Sequence, residues 1–385
     1  MHKTETILLS LLFLPIIILT AFTGKPQIQI IITITSIIAI IVYFFTTKII
    51  QKCIPLIEKV GITGKDLNKL SDKPIPEAMG IVPGIAYLVF TILIQLIHPI
   101  TLQEYNAVLT SICFMILLGF ADDVLNLRWR VKIYLSLVAT LPMVVSYSGS
   151  THILIPEFAK KILSQIPGIP DLPTLIDIGI GYKLYMVLFT AFCTNSINIL
   201  AGVNGLEVGQ SVVIGFGVLA YSILKIIETP ASSALTIEYH TVSILLVIPF
   251  ISVCLALLKF NWYPSRVFVG DTFTYFSGMA LAVIGIIGHF PEMMSLFFLP
   301  QILNFLLSLP QILGIFPCPR HRLAKYNPKD GLLYGVKEHH NLLNFWLRIF
   351  GPKNERVLTI HLMVFQFVCI LLAFAIRYFY AFLLN

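Results

Sequence analysis

The residues best suited to chemistry in this chain lie between Gly119 and Lys132, in Gly-Phe-Ala-Asp-Asp-Val-Leu-Asn-Leu-Arg-Trp-Arg-Val-Lys. Two adjacent carboxylates, Asp122 and Asp123, are followed by Asn126, Arg128, Arg130 and Lys132. Carboxylate and amide oxygens suit a hard divalent cation, and the basic groups beside them suit phosphates. An ordinary charged loop is the competing reading. The apolar run 107–120 precedes the pair. If it is a helix, its C-terminal end carries partial negative charge and is a poor place for two carboxylates.

Four other stretches concentrate polar residues. The first reads Gly64-Lys65-Asp66-Leu67-Asn68-Lys69, then Pro74-Ile75-Pro76-Glu77. Its glycine allows close backbone approach to a ligand, and Glu77 stands before an apolar helix, where dipole compensation is the plain alternative. The second, 193–207, interleaves Asn195, Asn198 and Asn204 with Gly202, Gly205 and Glu207. Asn195 and Asn198 are three apart and share a helix face, as amides for a metal or a nucleobase or as interhelical hydrogen bonds. The third runs from Asn261 to Asp271. There Asp271 reads as the cap of the following helix if it stands alone, while a site aspartate could do both jobs, and Phe268 offers either interfacial packing or a stacking surface for a base. The fourth is Pro317-Cys318-Pro319-Arg320-His321-Arg322, where two arginines suit bidentate phosphate recognition or simply flank a span. No Ser-His-Asp order, HExxH, Walker A or GxGxxG is present, and the charge pattern does not point to nucleic acid.

These stretches need elements to hold them, and composition says which. Of 385 residues 57% are hydrophobic and 12% charged, half the charge of a soluble domain. An all-α polytopic membrane protein follows, a single domain over 1–385. A span needs roughly 20 apolar residues, which places helices near 5–23, 28–47, 79–98, 107–120, 133–148, 183–200, 208–227, 240–258, 272–288, 293–316 and 357–381. The bundle thus has 10–11 spans, the first of which is a retained helix unless it is a signal sequence. Loops 48–78, 121–132, 201–207, 259–271 and 317–356 lie on one side and hold 19 of the 26 Lys and Arg residues. Positive-inside bias makes that side cytosolic. All five polar clusters share it. The opposite loop 149–182, rich in Pro and Gly, reads as a small non-helical lid. Six cysteines show no metal-ligand spacing and read as packed thiols.

In their order and strings, these clusters resemble the polyprenyl-phosphate N-acetylhexosamine-1-phosphate transferase superfamily, most closely its eukaryotic, dolichol-dependent branch. The most specific strings are Asn-Trp-Tyr-Pro-Ser-Arg-Val-Phe-Val-Gly-Asp, ending at Asp271, and Pro-Cys-Pro-Arg-His-Arg, ending at Arg322. The resemblance implies a ten-helix bundle in the endoplasmic reticulum membrane with a cytosolic active site. It implies transfer of GlcNAc-1-phosphate from UDP-GlcNAc to dolichyl phosphate, release of UMP and a need for Mg²⁺. It also implies that Asn198 and Asp271 bind the metal, and that Lys65, Asp66, Leu67 and Glu77 belong to the nucleotide-sugar site. Asn204 and Phe268 would meet the uridine, and Arg320, His321 and Arg322 the pyrophosphate and GlcNAc. Lys132 and the helix end at 191–199, including Asn195, would receive the lipid phosphate. Asp122 and Asp123 would orient Lys132 and the acceptor, with Asn126 beside them. A homodimer is a candidate assembly. Span 5–23 is extra to the ten-helix pattern.

A phosphate monoester has a second pKa of about 6, so the acceptor needs little help from a base. The barrier is the approach of two anions, which cations must offset. A transporter of a nucleotide-linked solute is the rival class. Transporters place polar residues near mid-membrane, whereas here the charges gather at one face.

Overall fold

A computed structural model describes residues 25–69, 73–97, 104–154, 175–319 and 322–384, together with positions 10, 18, 160, 165 and 173. The expected span 5–23, apart from positions 10 and 18, and two expected site residues, Arg320 and His321, lie outside them.

Twelve helices follow in chain order among the described residues. They are α1 (Pro26–Val60), α2 (Ile81–Ile97), α3 (Glu104–Leu125), α4 (Trp129–Ser146), α5 (Ile180–Ile199) and α6 (Leu206–Glu228). Then come α7 (Ala234–Asn261), α8 (Gly270–Ile287), α9 (Pro291–Phe297), α10 (Leu299–Ile312), α11 (Leu342–Phe350) and α12 (Glu355–Leu384). Each of the other ten expected spans falls on one of these helices or on the α9–α10 pair. Six of them (α1, α3, α6, α7, α8 and α12) are long and apolar enough to cross a membrane, and α9–α10 makes a seventh if its bent pair is one span. The chain is an all-α polytopic membrane protein.

Burial sorts the helices. The most apolar stretch of α7 is wholly enclosed, and α8 is nearly so. Helices α1 and α6 flank α7, while α3 and α5 flank α8. The outer helices turn Ile37 and Ile41, Leu117, Val138, Val145 and Leu371 outward, an apolar surface that only lipid would favour.

Two expectations about helix ends are corrected. The run 293–316 is not one span: α9 and α10 meet at 67° around Phe298. Pro300 stands in the first turn of α10 and lacks the N–H that would bond the carbonyl four residues back, which favours a new helix start here. The run 107–120 does not stop before the carboxylates either, since α3 continues to Leu125 and carries both aspartates in its last turns.

Three short hairpins complete the fold. Strands β1 (Thr63–Gly64) and β2 (Ile75–Pro76) tie the Lys65 loop to Glu77. Strands β3 (His152–Leu154) and β4 (Leu175–Asp177) give the described part of the opposite loop a hairpin base where a non-helical lid was expected. Strands β5 (Lys325–Asn327) and β6 (Leu332–Tyr334) pair after Arg322. A second small core of Leu333, Leu342, Leu343 and Leu347 packs with Leu358, Leu200 and Val203. That core seats the last loop against the ends of α5 and α12, so the five polar clusters meet at one end of the bundle.

Candidate active site

The first amides of a helix need an acceptor, and for α8 it comes from another helix. Asp123, at the end of α3, accepts the backbone N–H of Asp271 at 2.6 Å and of Thr272 at 3.0 Å, and the Thr272 hydroxyl besides. Val269 occupies the cap position and gives no side-chain bond. Asp271 therefore does not cap α8, contrary to expectation. It sits in the first turn with its carboxylate released for other duties. Two glycines permit the contact. A Cβ on Gly119 would lie 2.5 Å from the Thr272 Cα, and one on Gly270, at φ +70°, would lie 2.3 Å from the Asp123 carboxylate. Neither position admits a side chain while the helices stay this close.

The carboxylate freed in this way faces a lysine. Lys132 Nζ lies 2.6 Å from Asp122 Oδ2 and 3.1 Å from Asp271 Oδ2. Asp122 is buried, and its other oxygen accepts the N–H of Leu127 at 3.0 Å. Asn126 ends α3 in the left-handed conformation, at φ +50°, with its N–H on the Asp122 carbonyl. The turn that carries Arg128 to Lys132 is thus folded around Asp122. This answers the misgiving about carboxylates at a helix C-terminus: one holds a turn and a lysine, and the other serves a neighbouring helix. Asn198, near the end of α5, donates to Asp271 Oδ1 and to Thr274 Oγ1. Three carboxylates with one lysine leave a net negative cluster, suited to a further cation.

The loop before α2 lies along the segment leading into α8. Phe268 N–H donates to the Pro76 carbonyl at 2.7 Å, while Met79 and Gly80 donate to the Phe268 and Val269 carbonyls. Glu77 therefore lies in the loop between β2 and α2, before the first turn of the helix. A Cβ on Gly64 would touch both Glu77 and the Phe268 ring at 3.1 Å, so this glycine serves contact within the protein. Burial, then the charge of Asp271, pushes the Glu77 carboxyl above the usual carboxylate range.

A second polar knot surrounds Asn204. Its Oδ1 accepts from Lys69 Nζ at 2.6 Å and from the Ser265 N–H at 3.0 Å, and its N–H donates to Glu355 at 2.8 Å. Lys69 also pairs with Asp66 and reaches Glu355 at 3.4 Å. Asn68 donates to the Gly202 carbonyl at 2.7 Å. Lys69 and Glu355 were not expected site residues. Lysine in a glycine-containing loop and glutamate at a helix start both have ordinary explanations, and only the fold brings them together.

Arg322 donates to the His340 carbonyl at 3.2 Å, and burial lowers the affinity of its guanidinium for the proton. Asn341 and Asn344 hold the Arg322 backbone carbonyl. Asn195 stands apart: its amide donates back to the Ala191 carbonyl of its own helix, and it does not line the cavity.

These groups surround one cavity of ≈ 660 Å³, a size in the range of small-molecule sites. Its lining brings together Lys65, Asp66, Leu67, Glu77, Asp122, Asp123, Asn126, Asn198, Asn204, Phe268, Asp271 and Arg322. Lys132 reaches it through Asp122 and Asp271. Among the described residues no group of three or more His, Cys, Asp or Glu is arranged to hold a metal ion. Asp271 and Asn198 supply hard oxygens only. Mg²⁺ commonly takes one or two carboxylates and completes its shell with water and substrate phosphates, so this donor set fits it.

Residues 105–289 match the model of glycosyl transferase family 4. The chain is 45% identical to the UDP-N-acetylglucosamine–dolichyl-phosphate N-acetylglucosaminephosphotransferase of Dictyostelium discoideum, covering 95% of this chain and 93% of that protein. It belongs to that transferase family. The proteins of the same name from Schizosaccharomyces pombe and Saccharomyces cerevisiae are 34% and 40% identical over 89% and 76% of this chain, covering 91% and 70% of their own lengths. The family match covers Asp122, Asp123, Lys132, Asn198, Asn204 and Asp271, whereas the Lys65 loop and Arg322 lie outside it.

Proposed function

We propose that this chain transfers GlcNAc-1-phosphate from UDP-GlcNAc to dolichyl phosphate, giving GlcNAc-pyrophosphoryl-dolichol and UMP. It does so with Mg²⁺, at the cytosolic face of the endoplasmic reticulum membrane. The observation that carries the reading is Lys132 bridging Asp122 and Asp271, which line the cavity. The names of the relatives, the size of the cavity and the concentration of basic residues in the loops of that end support it.

The acceptor phosphate brings its own negative charge, so the site has to attract and aim it. Lys132 is held by two carboxylates of the cavity wall and offers its ammonium to that phosphate. One acceptor oxygen forms a bond to the β-phosphorus of the sugar nucleotide. The bond from that phosphorus to the bridging oxygen breaks, and the oxygen leaves with UMP. Asp123, with both oxygens engaged by α8, positions Asp271 rather than acting mainly as a base. Asp271 and Asn198 would hold Mg²⁺, which when bound offsets charge on the pyrophosphate. Arg322 faces the same cavity and would stabilise charge on the pyrophosphate. Asn204 and Phe268 would take the uridine.

The test is purified protein in detergent with dolichyl phosphate, Mg²⁺ and radiolabelled UDP-GlcNAc. Release of UMP with a labelled lipid pyrophosphate is expected. Release of UDP would mean plain sugar transfer and would overturn the mechanism. Sizing the same sample by light scattering checks the homodimer that belongs to this reading.

A further inference from the structure

Three glutamines form a chain of amides in the apolar interior, away from the cavity. Gln210 on α6, Gln301 on α10 and Gln366 on α12 are all buried. Gln210 Nε2 donates to the carbonyls of Leu200 at 2.8 Å and Ile197 at 3.3 Å. These lie on either side of Asn198 at the C-terminal end of α5, where helix carbonyls lose their own partners. At the other end Gln366 Nε2 donates to the Phe297 carbonyl at 2.7 Å, at the break between α9 and α10.

Both anchors are carbonyl oxygens, which only accept. Gln210 and Gln366 must therefore turn their NH₂ groups to them and their oxygens to Gln301. Gln301 Nε2 donates at 2.7 Å to each of those oxygens. Its own Oε1 is buried and has no partner among the described residues. A chain of three amides anchored on carbonyls at both ends cannot avoid this: the middle one gives both hydrogens and receives none. An unsatisfied buried oxygen opposes stability, and apolar side chains would avoid it.

We propose that Gln210 is a positioning residue for Asn198, with Gln301 and Gln366 fixing which way its amide points. By holding the turn at Ile197–Leu200, Gln210 sets the aim of Asn198 onto Asp271 and Thr274. The inference rests on the reading that Asn198 acts in phosphosugar transfer.

The test compares the wild type with Gln210→Leu and Gln210→Glu, measuring kcat and KM for UDP-GlcNAc from UMP release, and melting in detergent. Gln210→Leu lowers kcat by about 100-fold, the scale of a small misplacement, and leaves KM within about threefold. A neutral carboxyl in Gln210→Glu accepts from Gln301 and donates to one carbonyl, so it recovers about tenfold of that loss. If the leucine variant does not fold, Gln301→Leu carries the same expectation, since it leaves Gln210 in place but unoriented. Wild-type kcat per folded molecule in the leucine variants would overturn the proposal. Equal loss in Gln210→Leu and Gln210→Glu would do so too. Failure of the wild type to release UMP would count against the phosphosugar reading instead, and the two failures are told apart in one assay.

Discussion

The carboxylate of Asp123 accepts the backbone N–H of Asp271 at 2.6 Å, across 148 positions of sequence. One helix thereby supplies the cap of another, and the residue that would otherwise cap it is free to face Lys132 and Asn198. Asp123→Ala removes the acceptor for the first amides of α8. A lost cap costs about 1 kcal/mol, and the larger expected effect is on turnover, because Asp271 is no longer aimed. Melting in detergent alongside UMP release separates the two, and a variant that melts early yet turns over normally would contradict the positioning role.

Asp122 holds the turn that bears Lys132 and the lysine itself. Asp122→Asn keeps the shape and removes the charge opposite Lys132. Turnover is expected to fall by about 100-fold while UDP-GlcNAc binding stays. Equilibrium binding of labelled nucleotide sugar decides the matter, since loss of binding would place Asp122 in the donor site.

Gly270 leaves no room for a methyl group beside Asp123, and its φ of +70° is one that side chains resist. Gly270→Ala is expected to cost about 1–3 kcal/mol and to lower turnover by displacing the cap. Combined with Asp123→Ala, its effect on turnover should shrink, because both changes break one contact. Full additivity of the two rate losses would argue against a shared cause.

Lys69 ties Asp66, Asn204 and Glu355 together, away from Lys132. Lys69→Met is therefore expected to raise KM for UDP-GlcNAc by about tenfold with little change in kcat. Steady-state kinetics at saturating dolichyl phosphate reads this directly; a loss confined to kcat would move Lys69 into the reacting centre.

Chelation by EDTA is expected to stop UMP release, and added Mg²⁺ to restore it. Asp271→Asn, with one charge fewer toward the cation, should need more Mg²⁺ for half its maximal rate. An Mg²⁺ titration of wild type and variant gives the comparison.

Much of this was legible in the sequence because charge is scarce in it. In a membrane chain a polar cluster at the end of an apolar run stands out, so Asp122, Asp123, Lys132, Asn198, Asn204 and Asp271 could be named before any fold was known. Lys69 and Glu355 escaped because each has an ordinary local explanation. Gln210, Gln301 and Gln366 escaped because single amides inside apolar helices look like packing contacts. Asn195 was expected beside Asn198 from helical spacing, but its amide bonds its own helix, and spacing does not record where a side chain points.

The sequence by itself determined that the chain spans a membrane, where its helices lie and which loops carry the charges. Those follow from apolar length and from the cost of burying charge in lipid, both local properties of the chain. Only the tertiary structure decided the partners: that Asp123 caps α8, that Asp271 is thereby free for Lys132 and Asn198, and that α9–α10 bends at Phe298 rather than crossing as a straight span. Such assignments depend on how closely distant helices approach, which Gly119 and Gly270 allow and no local pattern prescribes.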